Sequence, residues 1–216
     1  MSKSPPTNPT RPAQRLCLVT PVIEDAAGFA GVLGEALDFA DIAAVLLRLK
    51  PADERTLINR VKALVPVTQR RDVALVLDGH AEIAIRGGAD GAHLTGVAAF
   101  SEAVERLGPE RIAGCGGLVT RDDAMVAAER GANYVMFGES VDGQRPAFDA
   151  VIERLAWWVE VFEVPCVGFA TTVDEVKSLA AAGADFVALS DSLWQGRAAS
   201  AISAAAACLA ALEATA

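Results

Sequence analysis

The sequence predicts a single-domain α/β protein, a closed parallel (β/α)8 barrel, and two observations carry that prediction. An Ala-Asp or Ala-Asn step ahead of a short apolar run recurs four times, as Ala40-Asp41-Ile42-Ala43-Ala44-Val45, Ala89-Asp90-Gly91-Ala92-His93-Leu94, Ala132-Asn133-Tyr134-Val135-Met136-Phe137 and Ala184-Asp185-Phe186-Val187-Ala188-Leu189. Gly88, Gly131 and Gly183 precede the last three. The copies start 49, 43 and 52 residues apart, about twice the length of one strand-plus-helix unit, and one further apolar strand candidate lies between each pair. Four marked and four unmarked strands, each followed by a helix pattern, close into a barrel more readily than they form an open sheet.

Each element has its own local signal. Strand 1 is the apolar run Leu16 to Thr20, ending at Pro21, and a helix follows over about 28–38. Strand 2 is Ile42 to Leu49, stopped by Pro51, after which Asp53 caps a helix through about Val65. Strand 3, Val73 to Leu77, ends in Asp78-Gly79-His80 and leads through a short helix, Glu82 to Arg86, to strand 4, Gly91 to Leu94. Ser101 opens the fourth helix, and strand 5 runs from Arg111 to Cys115 into Gly116-Gly117. Thr120 with Asp123 forms an approximate capping box for helix 5. Strand 6 is Tyr134 to Phe137, followed by a polar loop to Arg145 and a helix over about 147–161. Strand 7 is Cys166 to Phe169, and Thr172-Val173-Asp174-Glu175 is a full capping box for helix 7. Strand 8 is Phe186 to Leu189, and Ala198 to Leu212 is the last helix. Residues 1–14 open with four prolines among small polar residues and read as a disordered tail, with the barrel over 15–214.

Bulk properties exclude some classes. A net charge of −9 over 216 residues argues against nucleic acid or an anionic membrane as the main partner. It leaves room for a small phosphorylated ligand, because barrels hold phosphate on local backbone N–H groups and helix N-termini. Cys17, Cys115, Cys166 and Cys208 lack C-x-x-C spacing and read as reduced, buried thiols of a cytoplasmic protein. Neither a signal peptide nor a membrane span is visible.

In this fold the chemistry sits where strands end and helices begin, whereas Asp41, Asp90 and Asp185 lie at the opposite ends and read as structural. Arg48 and Lys50 leave strand 2 two positions apart, on one side by strand alternation, as an anion site or as a solvated strand end. Asp78 and Glu139 are the carboxylates placed to hold Mg²⁺ or to act as acid or base; Asp78 also suits a turn and Glu139 a solvated loop. His93, inside strand 4, reads as a satisfied core histidine, while His80 begins a helix. Gly116 and Gly117 shape the mouth, and Thr171 and Thr172 precede a helix N-terminus that attracts phosphate. Ser190 and Ser192 add hydroxyls after strand 8. Trp157, Trp158 and Phe162 form either a homodimer contact or ordinary helix-to-barrel packing.

Laid out in this order, the chain resembles the thiamine-phosphate synthase family, including its thiazole-tautomerase branch, over roughly residues 15 to 195. The resemblance rests on Leu18-Val19-Thr20, Leu47-Arg48-Leu49-Lys50, Gly88-Ala89-Asp90-Gly91-Ala92-His93-Leu94, Gly114, Gly131-Ala132-Asn133-Tyr134-Val135-Met136-Phe137-Gly138 and Gly183-Ala184-Asp185. It implies a TIM (β/α)8 barrel that couples a pyrimidine diphosphate to a thiazole phosphate, releasing pyrophosphate with Mg²⁺ support. By the same resemblance Arg48 and Lys50 hold the diphosphate, and Asp78 falls where the family has the Asn of an Asn-Asp pair. By that resemblance the chain reads as a degenerate member. Leu46 replaces a Gln, Gly79 and Ala98 replace the two metal-binding Asp residues, and Gly116 replaces a Ser. The tautomerase His falls on Leu118. Glu139 to Arg145 replaces a Thr-x-Thr-Lys loop, with Arg145 a loose substitute for that Lys, and Ala170-Thr171 replaces a phosphate-binding Gly-Gly. The expectation is a synthase of weakened or lost activity. The alternatives are a non-catalytic or repurposed barrel binding a phosphorylated small molecule, and an enzyme of another reaction built on Asp78, His80 and Glu139.

Overall fold

Residues 13–194 and 198–213 are described by the structure, a computed structural model. Strands and helices alternate in the order β1 (Arg15–Ile23), α1 (Ala26–Leu37), β2 (Ile42–Leu49), α2 (Glu54–Gln69), β3 (Ala74–Asp78), α3 (Ala81–Gly87), β4 (Gly91–Thr95) and α4 (Val97–Leu107). The second half repeats the pattern with β5 (Ile112–Gly116), α5 (Arg121–Glu129), β6 (Tyr134–Phe137), α6 (Phe148–Val161), β7 (Cys166–Ala170), α7 (Val173–Ala181), β8 (Phe186–Leu189) and α8 (Ala198–Glu213). All neighbouring strands pair in parallel, and β8 returns to β1 to close the barrel.

Strand alternation divides the apolar side chains into two layers. Leu16, Leu18, Val45, Leu47, Leu75, Leu77, Val135 and Phe137 face outward and are buried under the helices. Cys17, Val19, Leu46, Val76, Met136, Val167, Phe169 and Ala188 fill the inside. Continuing the inner parity up each strand brings Arg48, Asp78, His93 and Gly116 to the upper end of the interior, where the site lies.

The recurrent Asp and Asn residues are brackets at the lower rim. Asp90 accepts the Leu75 N–H at 2.7 Å through its side chain, and its own N–H donates to the Leu75 carbonyl at 2.9 Å. Asn133 does the same with Ala113, and Asp185 with Cys166. Each ties the start of an even strand to the start of the strand before it. Asp41 ties the same place differently, through an exposed bidentate pair with Arg15 at 2.7 and 2.9 Å.

Several boundaries depart from the sequence expectation. β1 continues past Pro21 to Ile23, because the register slips between Val19 and Val22 and leaves the proline out of the ladder. Pro66 lies inside α2, which runs on to Gln69. α4 begins at Val97 and not at Ser101, whose hydroxyl donates back to the Val97 carbonyl at 2.6 Å. The Thr120–Asp123 capping box is complete, but the box expected at α7 is only half formed. Thr172 accepts the Glu175 N–H, while the Glu175 carboxylate takes the N–H of Thr171 instead of that of Thr172.

Residues 1–12 of the expected tail, and residue 214, lie outside the described residues. Gln14 belongs with the barrel, its amide donating to the carbonyls of Ala180 and Ala184 at 2.9 and 2.7 Å. Trp158 is fully buried, its indole N–H donating to the Val164 carbonyl at 2.8 Å, so it serves helix packing. Trp157 lies half-buried beneath the Arg121 guanidinium, 4.7 Å from its ring centroid. Among the described residues no helix is long and apolar enough to cross a membrane.

Candidate active site at the barrel mouth

A buried imidazole and a nearly buried carboxylate meet at the upper end of the interior. His93 Nε2 lies 3.1 Å from Glu139 Oε2, with the two side chains 0% and 15% exposed. The same Glu139 oxygen accepts the Gly117 N–H at 3.1 Å, and His93 Nδ1 is 2.9 Å from the Tyr134 hydroxyl. Burial works against the charged imidazole, but the Glu139 charge and hydrogen bond outweigh it and raise the His93 pKa above the ordinary 6.5. Glu139 is likewise opposed by burial, and is held below its ordinary 4.5 by His93 and the Gly117 N–H. Both shifts favour the ion-paired form, in which both imidazole nitrogens donate, one to Glu139 and one to the Tyr134 oxygen.

Residue 116 is a glycine for a steric reason. A Cβ there would stand 1.7 Å from Glu139 Oε2 and 2.5 Å from His93 Nε2. Gly114, one step lower on the same interior face, leaves the room that the Tyr134 ring fills. Gly117 has φ +62° and a site for Cβ 2.5 Å from the Thr95 methyl, so the turn that aims its N–H at Glu139 favours glycine.

Arg48 forms the second focus. Its guanidinium lies 3.2 Å from Asp191 and 3.7 Å from Asp78, bridging the ends of β3 and β8. Asp78 is pushed above its ordinary 3.8 chiefly by burial, aided by the Glu139 charge and opposed by His93 and Arg48. Lys50 parts from Arg48. β2 ends at Leu49, so strand alternation no longer governs position 50, and the ammonium pairs with exposed Glu24 at 2.6 Å. Glu139 also lines a cleft of about 500 Å³, bounded by Gly117, Met136, Gly138, Arg145 and Arg154.

The side chains expected to meet a phosphate after β7 and β8 meet one another. Thr171 donates its N–H to Glu175 at 2.7 Å, Ser190 and Ser192 share a hydrogen bond of 2.6 Å, and Ser192 donates to the Thr171 carbonyl. Arg145, Asp191 and Glu175 complete this rim. His80 stands at the start of α3 without a side-chain cap bond. Cys115 is buried and its thiol is pushed up to about 12, which leaves no nucleophilic thiolate near neutral pH.

Asp78 is the mouth carboxylate that the sequence offers to Mg²⁺, an ion that takes one or two carboxylates together with substrate phosphates. Among the described residues no group of three or more His, Cys, Asp and Glu side chains is arranged to hold a metal ion. Asp78 and Asp191 are joined through the Arg48 guanidinium, and Glu139 is bonded to the His93 imidazole.

A closed parallel barrel of eight strands, each followed by a helix, is by its fold a TIM-barrel protein. Residues 16–193 match the family model described as thiamine monophosphate synthase. The thiamine-phosphate synthase of Rhodospirillum centenum is 40% identical over 184 residues, spanning 83% of this chain and 89% of that protein. That of Erythrobacter litoralis is 35% identical over 190 residues, spanning 84% and 89%. In structure, the thiamine phosphate pyrophosphorylase from Pyrococcus furiosus shares the fold with a TM-score of 0.75 at 20% identity, over 92% of this chain and 96% of that one. The chain belongs to the thiamine-phosphate synthase family.

His93 is a core histidine with both ring nitrogens satisfied, as its place in strand 4 implies, but its meeting with Glu139 was not legible. Tyr134 and Glu175 carried no signal beyond a strand start and a cap.

Proposed function

We propose that this chain couples a pyrimidine diphosphate to a thiazole phosphate in the cytoplasm, the reaction for which its relatives are named. Family membership over the whole barrel supports this reading, and the inward-facing Arg48 is the single observation that carries it at the site. The pyrimidine methylene–oxygen bond breaks, and its electron pair leaves with pyrophosphate. The thiazole nitrogen lone pair then forms the new carbon–nitrogen bond. Negative charge grows on the departing oxygen, so a guanidinium preset beside it lowers the barrier. Arg48 is that group, released from Asp191 by the incoming anion. Lys50, on the outer edge, steers the anion in. Asp78 and Glu139 are the candidate proton-handling groups, and Gly116, Gly117, Thr171, Thr172, Ser190 and Ser192 border the ligand.

Purified protein given both substrates should form thiamine phosphate at a rate that Arg48→Ala lowers by about a hundredfold or more, the scale of a lost electrostatic contact to a transition state. Absence of product at high enzyme concentration, from folded protein with and without Mg²⁺, sinks the reading. The second reading, a repurposed barrel that binds a phosphorylated small molecule, is favoured by one observation: Arg48 is shared between two carboxylates where the resemblance expects metal-binding residues nearby.

A further inference from the structure

Arg145 has five N–H donors, and all five are engaged within the chain. Nε donates to the Gly138 carbonyl at 3.2 Å. One terminal nitrogen donates to Thr171 Oγ1 at 3.0 Å and Glu175 Oε1 at 2.7 Å. The other donates to the Phe169 carbonyl at 3.0 Å and Glu175 Oε2 at 2.9 Å. Glu175 is therefore gripped by both tines of the guanidinium, and it also accepts the Thr171 N–H and hydroxyl at 2.7 and 3.1 Å. Two oxygens of a planar anion sit at the first turn of α7, on a backbone N–H, a hydroxyl and a bidentate arginine. A backbone N–H ahead of a helix and a forked arginine are donors that suit a phosphate, and the loops after strands 7 and 8 are where this fold holds one. Here the anion is the protein's own.

We infer that Glu175 is the built-in occupant of the anion site after β7, and that this chain recognises its thiazole partner by the ring and not by a phosphate at that position. The second half rests on the synthase reading; the first does not. A phosphate entering this rim meets a carboxylate, and it finds the Arg145 donors and the Thr171 N–H already bonded. Ser190 and Ser192 are bonded to each other, and Ser192 also donates to the Thr171 carbonyl, so both hydroxyls are already engaged. Burial opposes the Glu175 charge, but Arg145 and the Thr171 N–H overcome it and keep the group ionised below the usual glutamate range. The carboxylate is thus not lost by protonation near neutral pH.

The test is titration of the full chain with inorganic phosphate, watching the amide resonances of Thr171 and Glu175. In the wild type these stay still. In Glu175→Gln, which removes the charge and keeps an acceptor for Arg145, they move with saturable phosphate binding. Movement of the wild-type resonances overturns the assignment, and so does a folded Glu175→Gln that is as indifferent to phosphate as the wild type. If that variant does not fold, Glu175→Ala is titrated in its place, and the same two outcomes decide. In calorimetry the thiazole alcohol and its phosphate ester should bind the wild type within about tenfold of each other, where a working phosphate clamp separates them by about a hundredfold. A wild-type preference of that larger size overturns the ring-only recognition. Failure of both thiazoles to bind overturns that recognition together with the synthase reading, and leaves the phosphate titration to judge Glu175.

Discussion

Glu139 and His93 meet 3.1 Å apart across the β4–β6 side of the barrel interior, in space that exists because residue 116 lacks a side chain. The substitutions that distance this chain from the family pattern are thus partly one change. A serine at 116 and this Glu139–His93 contact exclude each other sterically, so the glycine and the glutamate form a matched set.

Gly116→Ser should therefore break the ion pair and destabilise the fold by about 2 kcal/mol or more, the range for disrupting a buried charged contact. Urea denaturation measures it. In a Glu139→Ala background the same substitution should cost markedly less, because the clash is with the removed side chain. Equal costs in both backgrounds would refute the coupling.

The pair also sets a pH dependence. The folded pKa of His93 lies above its ordinary 6.5, so its contribution is complete below 6.5 and fades as pH climbs through the raised value. Glu139 is depressed below 4.5, so its contribution is complete above 4.5 and fades as pH falls through the lowered value. The stability gap between the wild type and Glu139→Gln should be widest between 4.5 and 6.5 and narrow toward alkaline pH. A gap that stays constant from acid to alkaline conditions contradicts a charged His93.

Arg48 and Lys50 should separate in function. Arg48→Ala removes an inward guanidinium, and its effect on turnover should exceed that of Lys50→Ala by about tenfold or more. Stability should change by less than about 1 kcal/mol in both, since each charge pair is partly solvated. Steady-state rates of the two variants side by side decide it; equal losses would restore Lys50 to the site.

The lower-rim brackets give a graded stability series. Asn133→Ala removes the side-chain acceptor of the Ala113 N–H and should cost about 1–3 kcal/mol. Asp41→Ala breaks only an exposed pair with Arg15 and should cost less than about 1 kcal/mol. Thermal melts of the two variants should rank in that order, and a reversed order contradicts the distinction drawn between them.

Much of this was legible in the chain because strand period and fold close on each other. β2, β6 and β8 have the bounds that apolar runs and flanking turn residues predict, and the lower-rim Asp and Asn residues are structural as their place on the strands implies. Interior parity was only half legible: alternation set Arg48 and Lys50 on one side without saying which, and the inner layer of Leu46 and Val76 decides it for Arg48, while Lys50 lies past the end of the strand. The upper rim was harder to read. Its contacts join residues from different units: His93 with Glu139 across 46 positions, Arg145 with Glu175 across 30. No local period encodes such a meeting. Glu175 has two physical options at its helix start, and the sequence announces the cap and hides the arginine.

The brackets have a consequence for how the closed sheet can come apart. Asp90, Asn133 and Asp185 clasp β3 to β4, β5 to β6 and β7 to β8, with Arg15–Asp41 at β1 and β2. Among the described residues the β2–β3, β4–β5 and β6–β7 seams carry no matching side-chain clasp, while Gln14 ties the start of β1 to the Ala184 carbonyl ahead of β8. Opening fluctuations should run along those three unclasped seams, so that amides at the starts of β3, β5 and β7 exchange with solvent as members of clasped groups. A shear that slides one group past the next leaves every clasp intact, whereas one that slips within a group must break a clasp. The wheel is hinged in threes, though it is spoked in eights.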